Sequence, residues 1–245
     1  MTDVSAILNV HREGVLAHAS LLSMAHAAGQ ARAAGLQVEL IAVADCTDQV
    51  TLDVLAGHPG VRVVQTEVND LGIARNEGVR EAQGRYITFL DGDDLWGPGW
   101  ILRAHQAAIR AAEPSVWHPE ASLFFGQDAA PQWLPHPDGE TIEGDWVVLG
   151  MRNHWTSPSF AERTVYERVP YRRTDLGKQS GYEDWCWNCE TTAAGLVHRV
   201  VPDTAHLIRV RPDSMVRRTI NTHSLMTPSL LFRSRIGWLR PVEDE

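Results

Sequence analysis

Three carboxylates, Asp91, Asp93 and Asp94, crowd around Gly92 in a stretch of four residues. They follow Tyr86-Ile87-Thr88-Phe89-Leu90, a β-branched, aromatic and apolar run that reads as a buried strand. Carboxylates gathered at a strand end repel one another unless a cation or a donor-rich ligand sits among them. The Asp-x-Asp spacing lets two side chains reach one side of a loop, and Gly92 keeps that loop open and bendable. A divalent ion held there can neutralise a diphosphate. The plainer readings of the same residues are a solvated acidic turn and a calcium loop. The EF-hand form of the latter fails, because its later liganding positions fall on Trp96, Pro98 and Trp100.

The elements that position this turn alternate. Val4–Val10, Val38–Ala44 and Val61–Gln65 read as strands. Between them, Leu16–Ala34 and a segment ending near Leu55 read as helices, the second capped by Thr47 or Asp48. A third helix, from about Ile73 to Gln83, precedes the strand of the acidic turn. Such alternation implies a doubly wound α/β domain with a mostly parallel sheet flanked by helices, and ligands bind beyond the carboxyl ends of such strands. Glu13, Asp45, Asp91 and Asp93 each follow a strand and are expected on one rim. Farther on, a helix from Pro98 to about Ala112, strands at Ser115–His118, Trp146–Leu149, Leu196–Val201 and Thr204–Val210, and helices at Ala161–Arg168 and Tyr182–Ala194 are predicted. Phe124, Phe125 and Trp133 suggest short strand pieces, and Asn153–Phe160 a polar–aromatic loop or strand. One domain is expected over residues 1–225. A C-terminal tail, 226–245, follows it, with an amphipathic element at Leu230–Trp238.

The chain has 245 residues, 44% hydrophobic and 22% charged, enough for one large core. A net charge of −9 argues against bulk affinity for nucleic acid. No apolar run reaches the length of a membrane span, and the N-terminus does not read as a signal peptide. Cys46, Cys186 and Cys189 do not make a disulfide framework, so a reducing cytoplasm is the expected setting, with association at the inner membrane face left open. The Cys186–Cys189 pair lacks the second pair a zinc site would need.

Five stretches, taken in order, resemble the inverting GT-A-fold glycosyltransferases of family 2. They are Ile7–Glu13, Ala44–Asp48, Asn69–Gly78 with its Ala74-Arg75-Asn76, Asp91–Asp94, and Glu183–Trp185. The resemblance spans about Val4 to Ser214. It implies a metal-dependent, single-displacement transfer from a nucleoside-diphosphate sugar, uridine being the expected base, to a saccharide or glycoconjugate hydroxyl. Surface polysaccharide synthesis is the expected setting. By the resemblance, Asp45 receives the base, and Asn9, His11 and Glu13 line the nucleotide pocket. Asp91 and Gly92 meet the ribose, and Arg75 faces the nucleotide or its phosphates. Asp93, with Asp91, holds Mn2+ or Mg2+, and His206 or His223 is a candidate further ligand. Asp184 is the general base, with Trp155, Glu183 and Trp185 on the acceptor side. Arg209 and Arg211 resemble a late basic stretch that steadies the leaving diphosphate. Cys46 and His11 depart from the family pattern, which bears on base preference.

The residues also admit other roles. Asp45 could cap a helix, Arg75 could be an exposed helical residue near Glu77 or Glu81, and Trp155 could be core. Asp184 gains from the dipole at a helix N-terminus, which is expected to depress its pKa. Two other classes remain: a sugar nucleotidyltransferase, for which Val4–Gly14 has too few glycines, and an inactive binding module, which retention of Asp91, Asp93 and Asp184 argues against.

Overall fold

The computed structural model describes residues 1–126, 129–139, 146–212, 214–226 and 229–231. The first part alternates as the hydrophobic patterns predict: β1 (Val4–Val10), α1 (Leu16–Ala33), β2 (Val38–Asp45), α2 (Gln49–Ala56), β3 (Arg62–Thr66), α3 (Leu71–Glu81) and β4 (Tyr86–Asp91). There follow β5 (Leu95–Trp96), α4 (Trp100–Ala108), β6 (Ser115–Gly126), β7 (Ala129–Pro135), α5 (Trp146–Met151), β8 (Phe160–Glu162) and α6 (Arg163–Arg168). The last described elements are β9 (Ser180–Gly181), α7 (Glu183–Ala193), β10 (Val197–Arg209), α8 (Met215–Asn221) and β11 (Leu225–Met226).

Among the described residues the main sheet runs β3-β2-β1-β4-β8-β6-β10-β5, with β7 added on β6. Strands β1 to β4 pair in parallel, and β8 enters antiparallel to both β4 and β6. All seven residues of β1 are buried, as an unbroken apolar strand covered on both faces should be. Helices α1 and α4 cover one face, packing Leu21, Met24, Trp100 and Ile101 on Ala6 and Leu8. Residues of α3, α6 and α7, including Ala74, Tyr166 and Trp187, cover the other over Ile7, Val43 and Phe89. α3 lies close against the sheet: a Cβ on Gly78 would come within 2.8 Å of Ile7 Cγ2. Asp48, rather than Thr47, caps α2 by accepting from Thr51 N at 2.9 Å, and Asp70 caps α3 through Ile73 N. The parallel pairing sends the carboxyl ends of β1, β2 and β4 to one rim.

Several expectations are corrected. Trp146–Leu149 forms part of helix α5, not a strand; a short apolar run satisfies either geometry, and here Leu149 turns inward onto Trp155 and Cys189. Ser115–His118 is only the start of a 12-residue strand that reaches Phe124 and Phe125. The two late strands are one, β10, interrupted by an irregularity: Val201 pairs with Pro119 and Ala205 with Ala121. The helix after Pro98 stops at Ala108. The polar stretch after Arg211 contains α8 and then β11, which pairs with β9, so the boundary expected at residue 225 falls inside a strand. Leu231 is buried beside Leu149, while the rest of the expected amphipathic element at Leu230–Trp238 lies outside the described residues. No helix among the described residues is long and apolar enough to cross a membrane.

Candidate active site

Asp91 ends β4 opposite Asn9 of β1, and each carboxylate of the acidic turn meets a different protein group. Asp91 accepts from Arg75 Nη2 at 2.9 Å and from Ser157 Oγ at 3.2 Å. Asp93 Oδ2 lies 2.7 Å from Arg211 Nε. Asp94 accepts from the backbone N–H of Arg209 at 2.8 Å and lies 3.2 Å from His206 Nε2. Burial, then the neighbouring Asp94, pushes the Asp93 carboxyl up to about 7, against the pull of Arg211. Burial also raises Asp94. Gly92 has ordinary backbone angles; it is needed for closeness, since a Cβ there would meet Asn9 O and Val10 Cγ1 at 2.9 Å. Its role is therefore contact with β1 rather than bending.

The end of β1 closes over the same rim. His11 N donates to Glu13 Oε2 at 2.6 Å, and His11 Nδ1 donates to the Asp45 carbonyl at 2.6 Å. Burial raises the Glu13 pKa. Asn9 is 4% exposed, and neither atom of its amide has a hydrogen-bond partner among the described residues. Asp45 does not cap α2. Its two oxygens accept from the backbone N–H groups of Asn69 and Asp70 at 3.0 and 3.1 Å, fixing the loop into α3, where Asn69 has φ 50°.

Arg75 joins this rim to the far half of the chain. It is not an exposed helical residue: the side chain is 0% exposed, Glu77 pairs with Arg80, and Glu81 with Arg62. Its Nη1 donates to Glu183 Oε1 at 2.9 Å, its Nη2 also to Ser157 Oγ at 2.6 Å, and its guanidinium lies over the Tyr171 ring. Burial opposes the charge, but Asp91 and Glu183 outweigh it and raise the Arg75 pKa. Glu183 thus faces Arg75. Asp184, the next residue of α7, accepts from Asn153 Nδ2 at 3.1 Å and from Trp185 N at 2.7 Å. The expected depression of its pKa is corrected: burial first, then the like charge of Glu183, push it up to about 7, outweighing the helix terminus and Arg75.

Trp185 lies along α5, its indole N–H donating to Leu149 O at 2.6 Å. Trp155 is core, not an acceptor surface. It is 4% exposed, and its indole is stacked on the hydrogen-bonded pair His118–His198 at centroid distances of 5.1 and 4.3 Å. The Pro158 carbonyl can only accept, so His118 carries its proton on Nδ1 and its Nε2 accepts from His198 Nδ1 at 2.8 Å. His198 then accepts from Thr191 at 2.9 Å. Burial holds His118 well below the usual histidine range, His136 at about 4 and His198 at about 3. The polar contacts of Asn153 and Ser157 come from the Asn153–Phe160 loop, whose unusual polar–aromatic content was the available signal in the sequence.

Among the described residues no group of three or more His, Cys, Asp or Glu is disposed to hold a metal ion. His206 is 1% exposed and committed to Asp94, and His223 lies in the turn after α8, its N–H donating to Ile220 O. Neither completes a shell. The oxygen donors of the turn have the chemistry that hard divalent ions such as Mg2+ or Mn2+ prefer. Asp91, held by Arg75 and Ser157, is less available than Asp93.

Residues 5–116 match the family model described as glycosyl transferase family 2. TuaG of Bacillus subtilis (strain 168), named for teichuronic acid biosynthesis, is 41% identical over 63 residues, 24% of this chain and 25% of that protein. The succinoglycan biosynthesis protein ExoO of Rhizobium meliloti (strain 1021) is 36% identical over 80 residues, 31% of this chain and 23% of that one. The matches thus span about a quarter of these relatives' length. Among solved structures, S. aureus TarS superposes with a TM-score of 0.63 at 16% identity, covering 89% of this chain and 38% of that one. TarS 1-349 in complex with UDP-GlcNAc superposes with a TM-score of 0.62 at 14% identity, covering 95% and 64%. The fold is that of these solved structures. Residues 5–116, which contain Asp45, Arg75 and the Asp91–Asp94 turn, are thus the part of the chain that is similar to glycosyl transferase family 2.

Proposed function

We propose that the protein transfers a sugar from a nucleoside-diphosphate donor, a UDP-sugar, to an acceptor hydroxyl with inversion, in the assembly of a surface polysaccharide. The observation that carries this reading is Arg75, which ties the donor-side Asp91 to Glu183, the neighbour of Asp184. Asp184 is the catalytic base: it takes the acceptor proton as the acceptor oxygen bonds the anomeric carbon and the bond to the diphosphate breaks. A carboxyl near 7 is a stronger base than an ordinary aspartate, and about half of it is ionised at neutral pH. Asn153 donates to one of its oxygens and the Trp185 N–H to the other, which fixes the carboxylate, and each oxygen retains a second lone pair that can take a proton. Asn9 offers an unsatisfied buried amide to the donor. A divalent ion at Asp93 supplies charge neutralisation for the departing diphosphate. The names of TuaG and ExoO support the polysaccharide setting, and the UDP-GlcNAc complex of TarS supports a UDP-sugar. A panel of nucleotide sugars with Mn2+, read by released nucleoside diphosphate, tests it. Release of UDP only with a matched acceptor is expected; no release from any donor, with calorimetry showing no nucleotide binding, overturns it.

A further inference from the structure

Every carboxylate of the Asp91–Asp94 turn already has a protein partner, but the three partners differ in how freely they can leave. Arg75 is sealed in, held by Asp91, Glu183, Ser157 and the Tyr171 ring. Asp94 is 5% exposed and takes a backbone N–H, which cannot rotate away. Arg209 is clipped to the Asp93 carbonyl at 3.1 Å and lies over Phe125. Arg211 is different. Its side chain is 26% exposed, and besides Asp93 the one ion pair it makes among the described residues is with Glu13 Oε1, at 3.9 Å. Asp93 is therefore the one carboxylate of the turn whose counter-charge sits on a rotatable, solvent-reached side chain.

A guanidinium and a divalent ion on one carboxylate repel each other strongly in a partly buried site. A diphosphate removes the conflict, because its oxygens can take the guanidinium bidentately while the metal bridges it to Asp93. We propose that Arg211 is a built-in counter-ion for Asp93 that excludes free divalent metal and yields the carboxylate only when a nucleoside diphosphate arrives. Glu13, already fixed by the His11 N–H, keeps the released guanidinium at the mouth of the site. The proposal rests on the nucleotide-sugar reading above. It makes metal binding conditional on donor, and gives Arg211 a role before chemistry begins.

Mn2+ titration followed by electron paramagnetic resonance, on wild type and on Arg211→Gln, with and without UDP, tests it. Wild type should bind Mn2+ weakly alone and clearly with UDP. Arg211→Gln should bind Mn2+ alone about tenfold more tightly or better, the scale of one released charge pair. Its gain on adding UDP should shrink accordingly. Arg211→Lys, which keeps the charge without the fork, should fall between the two and serves if the glutamine variant does not fold. Asp93→Asn added to Arg211→Gln should abolish the gain. Unchanged Mn2+ affinity in both Arg211 variants overturns the proposal, as does equal strengthening with and without UDP. Failure of UDP to bind any form, with the Mn2+ gain intact, would overturn the nucleotide reading while the exclusion of free metal by Arg211 stood.

Discussion

Arg75 and Glu183 meet at 2.9 Å across 108 residues of sequence, with the arginine fully enclosed. A buried guanidinium is tolerable only while its carboxylates are present, and the reverse holds for them. Arg75→Met should therefore destabilise the protein by about 3–5 kcal/mol, because it strands Asp91 and Glu183 together. Arg75→Lys should recover only part of this, since one ammonium cannot span both. The midpoint of urea unfolding measures the loss. A change within about 0.5 kcal/mol, the range of surface substitutions, would contradict the enclosed geometry.

Asp184→Asn keeps the contact to Asn153 in shape and removes the proton acceptor. Turnover should fall by roughly 10²–10⁴-fold with little change in donor affinity. In the wild type, kcat/KM should rise with pH through about 7, where the Asp184 carboxyl ionises. Glu183 is a like charge that raises this value, so Glu183→Gln should move the acidic limb to lower pH and cost stability through Arg75. Stability follows the opposite sign to an ordinary salt-bridged aspartate. The folded pKa lies above the unfolded one, so ionising Asp184 weakens the fold above about 7, and that cost is absent below the unfolded value of about 4. Asp184→Asn should thus look more favourable for stability at pH 8 than at pH 5. An unshifted limb in Glu183→Gln would argue against Asp184 as the titrating group.

Asp45→Ala removes the acceptor of two backbone N–H groups at once. A stability loss of about 1.5–3 kcal/mol is expected, the scale of hydrogen bonds to a charged group, together with weaker nucleotide binding. Chemical denaturation and calorimetry on the same variant separate the two effects. Weaker binding without lost stability would mean that the Asn69–Asp70 loop does not depend on Asp45.

The histidines beneath Trp155 predict an acid-sensitive core. His136 and His198, held at about 4 and 3, and His118, also depressed, are neutral in the fold and protonate near 6.5 when unfolded. Their contribution is whole above about 6.5 and drains away as pH falls toward the folded values, because only the unfolded chain takes up protons there. The raised carboxyls of Asp93, Asp94, Asp184 and Glu13 act in the other direction, so the difference between variants is the useful readout. His198→Gln should flatten the decline of unfolding free energy between pH 6.5 and 4 relative to wild type, by up to a few kcal/mol. Parallel curves would remove His198 from the acid response.

What the sequence made legible was local. The apolar runs of β1, β2 and β4 can only be covered strands, and their common direction brings Glu13, Asp45 and the acidic turn to one rim without any partner being known. Contacts between distant segments left no such trace: nothing in the neighbourhood of Arg75 points to Glu183 rather than to Glu77. Trp155 shows the same gap from the other side, because whether an aromatic face is open depends on His118 and His198, which lie far away in sequence. At Asp184 the local rule was sound and lost on magnitude, since burial outweighed the helix terminus. Trp146–Leu149 failed because four apolar residues carry no period.

Between Val201 and Ala205, β10 spends four residues where β6 spends two, from Pro119 to Ala121. The excess is even, so the side chains beyond it remain in phase with those before it. His198 beneath Trp155 and His206 beside Asp94 therefore share one face of the same strand. Length at this point can change in steps of two without harm to the pattern, whereas the loss of Asp203 alone would invert the strand's later half. His206 would then leave Asp94, and the carboxylate rim would lose its floor while each of its residues remained in the chain.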